Sequence, residues 1–336
     1  MATDKAPPES GEDRLIARYF RPLARHPGAL GLLDDAAVLT PPPGSDLVLT
    51  TDVVLGGVHF FADDPPNSIA RKALRVNLSD LAAKGATPSG FLMALVLRED
   101  VTDEWLESFA KGLGADADAY ACPLLGGDTA KTPGPAMVSI TAFGTVPQGS
   151  MVKRSGAKVG DRVVVTGTIG DAALGLKLRR DGEATQRWKL DATMRDHLLD
   201  RYLHPQPRNA VAEVLRKYAS AAMDVSDGLA GDLAKLCRTS GMSAEIEVTR
   251  VPLSPAARAA LKAEPALIET ILTGGDDYEI VCTVPSAECD AFCAGSLAAG
   301  VPATAIGRIT AGEGAPGFLD EHKQPLVLER LSYSHF

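Results

Sequence analysis

The sequence predicts a mixed α/β protein with mixed sheets, built as two domains. Segments typical of strands alternate with segments typical of helices along its 336 residues. That length is more than one hydrophobic core usually organises. The alternation restarts after a short polar connection at residues 147–150. We therefore expect a flexible N-terminus over residues 1–12, an N-terminal domain over residues 13–148 and a C-terminal domain over residues 149–336.

The first half of the chain contains strand and helix patterns in turn. Its helix predictions depend on periodic apolar positions such as Ile69, Ala73 and Leu74, with Asn67 or Ser68 as the N-cap. Its strand predictions depend on runs of apolar residues. We predict strands over residues 47–54, 90–97 and 136–146, and helices over residues 67–84 and 103–120.

The second half repeats this alternation. The polar segment over residues 181–188 is expected to be an exposed loop. We predict strands over residues 161–166, 221–225, 244–248, 278–284 and 304–309, and helices over residues 171–180, 206–218 and 228–239.

Composition excludes several classes of protein. Hydrophobic residues make up 45% and charged residues 23%, as in an ordinary soluble globular protein. The net charge of −9 opposes binding to a nucleic-acid backbone. No apolar stretch is long enough for a membrane span, and the N-terminus lacks the apolar region of a signal peptide. Five scattered cysteines do not form a disulfide framework, so we expect a reducing cytoplasm.

Many aspartates lie at the ends of apolar runs. Carboxylate oxygens are the ligands of hard divalent cations, and clustered carboxylates need positive charge to neutralise them. This pattern predicts a magnesium and phosphate site. The residues are Asp34, Asp35, Asp52, Asp80, Asp128, Asp224, Asp227, Asp276 and Asp277.

Two of these motifs lie in the first ninety residues. Thr50, Thr51 and Asp52 follow an apolar run that predicts a strand end with three oxygen ligands, although such residues also simply close strands. Asp80 lies inside an apolar, alanine-rich helix pattern. A carboxylate there needs a partner such as a metal ion, unless that face of the helix is solvated.

Three further motifs combine glycine with aspartate. Gly126-Gly127-Asp128 follows a buried run, and the glycines would let the backbone approach phosphate oxygens; a tight turn is the alternative. Asp224-Val225-Ser226-Asp227-Gly228 is the most informative, because an N-cap role explains only one of its three polar side chains. Gly274-Gly275-Asp276-Asp277-Tyr278 repeats this arrangement, or is a loop that leads into a strand.

Familiar nucleotide-binding motifs are missing. The chain has no G-x-x-x-x-G-K-[ST] sequence and no protein-kinase motif set. Gly312-x-Gly314-x-x-Gly317 matches the dinucleotide fingerprint only formally, because Pro316 interrupts it.

Taken together and in this order, the motifs resemble the thiamine-monophosphate kinase family, of the superfamily that includes aminoimidazole ribonucleotide synthetase. The resemblance extends over the chain from residue 15 to its last residue. The matching stretches include Leu15-Ile16-Ala17-Arg18-Tyr19-Phe20, Asp34-Asp35, Thr50-Thr51-Asp52, Gly57-Val58-His59-Phe60, Asn77-Leu78-Ser79-Asp80, Gly126-Gly127-Asp128-Thr129, Arg154-Ser155-Gly156-Ala157, Asp224 to Leu229, Gly274 to Tyr278, and His335-Phe336.

The resemblance implies ATP-dependent phosphorylation of thiamine monophosphate to thiamine diphosphate, in a homodimer whose N-terminal domains pair through their strands. It implies that several Mg²⁺ ions are held by Asp35, Thr50, Thr51, Asp52, Asp80, Asp128, Asp224 and Asp227. It implies ATP contacts from Gly127, Asp128, Arg154 and Ser226, and thiamine monophosphate contacts from His59, Asp276 and Tyr333.

The expected reaction is direct in-line transfer without a phosphoenzyme. We assign no general base, because a phosphate acceptor is already largely ionised near neutral pH. The family usually has Glu where this chain has Asp276, and Gly where it has Leu33. The alternatives are another ATP-using member of the superfamily, such as a selenophosphate synthetase, and a binding protein that has lost turnover.

Overall fold

The computed structural model describes residues 10–332. These residues fall into two compact units, and each is described by itself below. The domain boundary expected near residue 148 stays a prediction. The first unit comprises residues up to Pro43, Leu49–Asn77 and Pro88–Gly144, and the second comprises Gly44–Val48, Leu78–Thr87 and the residues from Thr145 onwards.

The N-terminal part of the chain forms one sheet with the strand order β1-β4-β2-β3, in which β2 and β3 run parallel. A π-helical turn (Ile16–Phe20) and two 3₁₀ segments (Arg21–Leu23 and Pro27–Leu32) precede the first strand. The other elements are α1 (Gly11–Leu15), β1 (Ser45–Leu55), α2 (Pro66–Ala83), β2 (Thr87–Arg98), α3 (Asp103–Ala119), β3 (Leu124–Thr132) and β4 (Met137–Pro147).

Helix α3 shows why these residues fold as they do. The Thr102 hydroxyl caps the helix by accepting the Trp105 N–H (3.2 Å), and two acidic residues in the first turn suit the helix dipole. Leu106, Phe109 and Leu113 share one face and are buried. The Trp105 ring stacks on Phe109 with 5.1 Å between ring centroids.

The strands and helices predicted for this part of the chain are confirmed within a few residues at each end. The predicted N-cap of one helix is wrong. Helix α2 begins at Pro66, so Asn67 and Ser68 lie inside the first turn and neither is the N-cap. Proline is favoured in this first turn because its position needs no N–H donor. The Ser68 N–H donates instead to the carbonyl oxygen of Pro65 (2.9 Å).

The N-terminal segment is only partly described. Residues 1–9 of the predicted flexible N-terminus lie outside the described residues. Gly11 and Glu12, also within that prediction, are helical and belong to α1. The Ser10 hydroxyl accepts the Asp13 N–H (3.0 Å), and the Asp13 carboxylate accepts the Ser10 N–H (3.1 Å), which together form a capping box.

The remainder of the chain forms a sheet with the order β10-β7-β9-β5-β8-β6. Its pairings are antiparallel except for β10 with β7. The strands are β5 (Arg162–Thr166), β6 (Ala221–Asp224), β7 (Ser243–Glu247), β8 (Ile280–Val284), β9 (Ala303–Thr310) and β10 (Gly317–Leu319). The helices are α4 (Asp171–Arg180), α5 (Ala184–Arg187), α6 (Ala192–Leu203), α7 (Ala212–Tyr218), α8 (Leu229–Ser240), α9 (Pro255–Ala263), α10 (Leu267–Thr273) and α11 (Cys289–Ala298).

Both faces of this second sheet are covered. Because successive side chains of a strand point to opposite faces, Val163 and Val165 of β5 join one buried cluster and Val164 joins another. The same alternation places Val281 in the first cluster and Cys282 in the second. Strands buried on both faces read as continuous apolar runs, which is why the sequence showed them clearly. The predicted mixed α/β class is confirmed.

Two expectations for the second half are wrong. The segment over residues 181–188 is not simply an exposed loop, because it contains α5 and ends in Trp188, a residue that is 1% exposed. The Trp188 indole N–H donates to Glu264 (2.8 Å), so a polar partner makes its burial tolerable. The helix predicted over residues 206–218 starts later, as a 3₁₀ turn (Asn209–Val211) that leads into α7. Pro207 explains the delay, since the residue before a proline avoids helical conformation.

Within residues 10–332, every helix is too short or too polar to traverse a lipid bilayer.

Candidate functional site

Two of the predicted motifs lie side by side in the second unit. The N–H of Tyr278 donates to the carbonyl oxygen of Val225 (2.8 Å), and the N–H of Asp276 donates to that of Ser226 (2.9 Å). The Val225 N–H donates in return to the carbonyl oxygen of Glu279 (2.7 Å). The loop that follows β6 is therefore bonded to the loop that precedes β8, and Ser226 lies next to Asp276.

This contact depends on an unusual backbone. Asp276 and Tyr278 have φ values of 74° and 50°, which non-glycine residues rarely adopt and which cluster at functional sites. At Gly275, a Cβ atom would lie 2.4 Å from the carbonyl oxygen of Ser226. Glycine is therefore required where the two loops meet.

Asp277, the second member of the aspartate pair, has a structural role instead. Its side chain is 1% exposed and accepts the N–H groups of Gly170 (2.6 Å) and Ala172 (3.2 Å) at the start of α4. Burial raises its pKa well above the ordinary value, and these two hydrogen bonds oppose the rise. Both carboxylate oxygens of Asp277 thus accept hydrogen bonds inside the fold, and the ligand set implied by the resemblance does not include this residue.

The neighbouring Asp171 forms part of the same buried region. Its carboxylate accepts hydrogen bonds from Ser254 (2.5 Å) and Thr168 (2.6 Å), and it contacts the ring of His197 (3.0 Å). Burial opposes ionisation of Asp171, but these bonds outweigh it and lower its pKa. The hydrogen bond to Asp171 raises the pKa of His197.

Glu279 anchors the second loop through a buried charge cluster. Its side chain is fully buried and accepts hydrogen bonds from Arg201 (2.9 Å), from Nε of Arg208 (2.6 Å) and from the Thr166 hydroxyl (2.8 Å). Sequence reasoning assigned Glu279 no role. The two arginines lie more than seventy positions earlier, so the sequence alone did not indicate this cluster.

Asp224 is the last residue of β6, one residue before the predicted strand end at residue 225, and it is buried with 6% exposure. The Ser79 hydroxyl, on the C-terminal part of α2, donates to its Oδ2 atom (2.9 Å). Asp80 lies inside α2 and not at its start, as the sequence indicated. The expected helix and strand positions of both aspartates are therefore confirmed.

A partly buried lysine accompanies these aspartates, and the sequence did not predict it. The Lys84 ammonium donates to the carbonyl oxygen of Ala222 (2.8 Å). Burial lowers its pKa, the Asp224 charge opposes that shift, Arg154 adds to it, and Asp80 opposes it. Four charged groups of the second unit therefore interact electrostatically at this point, namely Lys84, Asp224, Arg154 and Asp80.

Asp227 lies between β6 and α8, where the sequence predicted an anion and cation site. The N-cap of α8 is Gly228 and no side chain caps it, so the alternative reading of this motif as a Ser or Asp cap is wrong. The Asp227 N–H donates to Asp232 (2.8 Å), and its carboxylate contacts Lys235. Sequence reasoning missed Asp232 and Lys235, although their i,i+3 spacing on one helix predicts an ion pair.

In the first unit, Thr50, Thr51 and Asp52 lie within β1 and not at its end, so their predicted position was wrong. The two residues that follow them, Val53 and Val54, are β-branched, which favours continuation of the strand. The Thr51 hydroxyl donates to the carbonyl oxygen of Ile140 (3.1 Å). The Asp52 N–H donates to the side chain of Asn77 (3.0 Å).

Gly127 and Asp128 likewise lie inside β3, although the sequence placed them after a strand. Gly127 pairs with Met93 of the parallel strand β2, and a Cβ atom on Gly127 would lie 1.9 Å from the Met93 carbonyl oxygen. Glycine thus lets the two strands approach closely, which extends the ladder through the motif. Asp128 is exposed, and its side chain accepts the Thr129 N–H (2.9 Å).

The remaining predicted residues are spread along the first unit. Asp35 is exposed in the loop after the 3₁₀ segment, and its N–H donates to Asp34 (2.8 Å). The His59 ring accepts the N–H of Leu55 at Nδ1 (3.0 Å), and the buried Lys72 donates to the His59 carbonyl oxygen (3.0 Å). Tyr333 lies outside the described residues, as do His335 and Phe336.

The described residues contain no ready-formed cluster of metal ligands. Among residues 10–332, no three His, Cys, Asp or Glu side chains are close enough to hold a metal ion together. The structure brings Ser226 next to Asp276, and it brings Asp80, Asp224 and Arg154 around Lys84. The assignment of metal, ATP and substrate ligands stays a prediction.

Comparisons with known proteins extend over almost the whole chain. Residues 33–146 match the N-terminal domain of AIR synthase related proteins, and residues 158–318 match the C-terminal domain. A thiamine-monophosphate kinase of Caulobacter vibrioides is 46% identical over 307 residues, which cover 90% of this chain and 85% of that protein.

Two solved structures are similar in both fold and sequence. A thiamine-monophosphate kinase from Stenotrophomonas maltophilia K279a has a TM-score of 0.80 and 37% identity, covering 92% of this chain and 95% of its own. The structure described as AaThiL complexed with AMPPCP and TMP has a TM-score of 0.75 and 31% identity, covering 92% and 97%. This chain therefore belongs to the AIR synthase related family and, within it, to the thiamine-monophosphate kinases.

Proposed function

We propose that this chain transfers the γ-phosphate of ATP to thiamine monophosphate, which gives thiamine diphosphate and ADP. The observation that carries the proposal is the pairing of the Ser226 loop with the Asp276 loop, within a chain that is similar to thiamine-monophosphate kinases over most of its length. One similar structure is described as a complex with AMPPCP and TMP.

Mg²⁺ fits the proposed ligands by their chemistry. Each of them offers a carboxylate or hydroxyl oxygen, the donor type that this hard cation takes, and none offers sulfur or imidazole. We propose that Asp35, Thr50, Thr51, Asp52, Asp80, Asp128, Asp224 and Asp227 hold the ions. Bound Mg²⁺ would supply neutralisation of the charge on the two phosphate groups that meet in the reaction.

The protein side chains would then bind and orient the reactants. For ATP we propose the Gly127 backbone, Asp128, the Arg154 guanidinium and the Ser226 hydroxyl. For thiamine monophosphate we propose His59, Asp276 and Tyr333. Charge-assisted hydrogen bonds from a guanidinium suit phosphate oxygens. Phosphoryl transfer needs alignment and charge stabilisation more than covalent catalysis, so we propose no general base.

We also propose a homodimer that pairs through β1. This strand is at one end of the sheet order, and its exposed positions include Leu47, Leu49 and Val53. An edge strand with an exposed apolar face is a surface that another chain can cover. Light scattering coupled to size exclusion should give the mass of two chains. The mass of one chain for the purified protein would contradict this assembly.

A cytoplasmic location is part of the proposal. The five cysteines are free thiols, and Cys122, Cys237, Cys282 and Cys289 are buried. Free thiols suit a reducing compartment. Burial also raises the pKa of Cys122 to about 12, so it is not the reactive cysteine that a selenophosphate synthetase would need near its N-terminus.

The test is ADP release by the purified protein with ATP and Mg²⁺. Thiamine monophosphate, thiamine and aminoimidazole precursors are compared as acceptors, and the product is identified by mass. We expect thiamine diphosphate from the monophosphate alone. If no such product forms while the folded protein still binds ATP, the substrate assignment is wrong.

Site variants separate an enzyme from a binding protein. Asp128→Asn and Asp227→Asn each remove one negative charge with little change in volume. We expect both to abolish turnover while the protein stays folded. A protein that only binds nucleotides would show a changed affinity and no turnover before or after the substitution.

A further inference from the structure

A protein cation already contacts one of the proposed metal ligands. The Lys235 ammonium, on α8, forms an ion pair with the Asp227 carboxylate and another with Asp232 (2.8 Å). Asp227 is the last carboxylate of the Asp224 to Gly228 motif. Lys235 therefore contacts an oxygen that Mg²⁺ would need.

The two carboxylates that Lys235 contacts differ in burial. The Asp232 side chain is fully buried, whereas Asp227 is 38% exposed and Lys235 is 29% exposed. Asp232 also accepts the backbone N–H of Asp227 (2.8 Å). A buried carboxylate needs a charge partner, so Asp232 keeps the lysine close, and Asp227 is the partner that can be exchanged.

Lysine is suited to such an exchange. Its ammonium has three donors on a flexible stem, so it can release one acceptor and keep another. Asp232 holds the backbone of Asp227 through the N–H bond, and that bond does not depend on where the Asp227 carboxylate points. The loop position of Asp227 is thus fixed whether or not Lys235 contacts its side chain.

We propose that Lys235 is a built-in competitor of the divalent cation at Asp227: it neutralises this carboxylate when no metal is bound, and it withdraws to Asp232 alone when a metal arrives. The inference rests on the proposed function, because it takes Asp227 as a metal ligand. Lys235 is a positioning residue in this scheme and touches neither substrate nor the reacting atoms. Because of this competition, the affinity for the metal is lower than the carboxylates alone would give.

The size of the effect follows from the exposure of the pair. Ion pairs this exposed contribute about 1 kcal/mol, which corresponds to about a fivefold change in a dissociation constant. Removal of the Lys235 charge should therefore strengthen cation binding about fivefold. If Lys235 only stabilised the helix, its removal would leave the affinity for the divalent cation unchanged or weaken it.

The experiment measures Mn²⁺ binding to the full chain by the electron paramagnetic resonance signal of the free ion. Lys235→Met removes the competing charge, and Lys235→Arg keeps it. Arg238→Met is the matched control, since it removes a positive charge from the exposed face of the same helix. Asp227→Asn tests whether Asp227 is a ligand.

A second readout is the melting temperature as a function of added Mg²⁺, because a ligand that binds only the folded state stabilises it according to its affinity. If Lys235→Met fails to fold because Asp232 is left without a cation, the double variant Asp232→Asn, Lys235→Met removes that buried charge as well. The same fivefold change is expected in the double variant.

The outcomes are distinct. We expect tighter Mn²⁺ binding in Lys235→Met, affinities near that of the parent protein in Lys235→Arg and Arg238→Met, and weaker binding in Asp227→Asn. Weaker binding in Asp227→Asn without any gain in Lys235→Met overturns the competitor role and leaves the proposed function intact. Unchanged binding in Asp227→Asn overturns both the competitor role and the assignment of Asp227 as a ligand.

Discussion

Glu279 offers the sharpest test of how the second unit holds its site loop. Its carboxylate is fully buried and bonded to Arg201, Arg208 and the Thr166 hydroxyl. Glu279→Gln keeps the shape and volume of the side chain but removes its charge. The experiment therefore measures what the charge cluster contributes to stability and not what the packing around it contributes.

The expected loss of stability can be worked out from the burial of the partners. The substitution leaves two guanidinium groups whose side chains are only 5% and 16% exposed. Breaking a buried ion pair by removal of one partner costs about 3–5 kcal/mol, because the remaining charge stays out of water. At the lower value the melting temperature should fall by roughly 6–12 °C.

Thermal and guanidinium unfolding followed by circular dichroism are the assays. Glu245→Gln is the matched control, because its side chain is 41% exposed and pairs with the exposed Arg308. An ion pair of that kind contributes no more than about 1 kcal/mol. The control variant should thus unfold close to the parent protein, while Glu279→Gln unfolds well below it.

A functional effect should accompany the loss of stability. Glu279 follows Asp276 and Tyr278, whose positive φ values persist only if the surrounding structure enforces them. When the anchor weakens, this loop can relax, so the KM for the phosphate acceptor should rise more than kcat falls. The reasoning is refuted if Glu279→Gln loses less than about 1 kcal/mol, since the buried charges would then be compensated in another way.

Three further predictions follow from the structure. Gly127→Ala should destabilise the protein by about 3 kcal/mol in guanidinium unfolding, because its Cβ would meet a strand carbonyl, whereas Gly126→Ala meets only a flexible side chain and should cost under about 1 kcal/mol. Ser79→Ala should raise the Mg²⁺ concentration needed for half-maximal activity, because the hydroxyl that orients Asp224 is lost. The pKa of His197 is raised in the folded state. The contribution of His197 to the free energy of unfolding is therefore complete below about pH 6.5 and is lost as the pH rises through the pKa of the folded state. His197→Gln should accordingly lower the melting temperature at about pH 6 more than at about pH 9.

The sequence predicted most of the fold because its cores are regular. The β5 and β8 runs are apolar on both faces, and α2 and α3 have clear helical periodicity. Errors arose where one residue changes local geometry. Pro207 delays α7, and Trp188 folds a polar segment back onto the core through a bond to Glu264. Neither effect can be read from periodicity.

The candidate site was predictable to a different degree. The sequence singled out Asp224 and Asp227 because three polar side chains at the end of an apolar run exceed what a helix cap needs, and the structure places them at the end of β6 and just before α8. The roles of Asp277 and Lys235 were missed, because both depend on contacts formed only in the folded chain. A sequence shows which residues carry charge, whereas the partner of each charge is set by the fold.

The positions of the two tryptophans give the molecule a built-in optical probe. Trp105 lies on α3 in the first unit, and Trp188 follows α5 in the second. Replacing Trp105 by phenylalanine would leave a single emitter in an apolar environment, where indole fluoresces at shorter wavelength than in water. The wavelength of that emission would then report the unfolding of the second unit alone, without any attached dye.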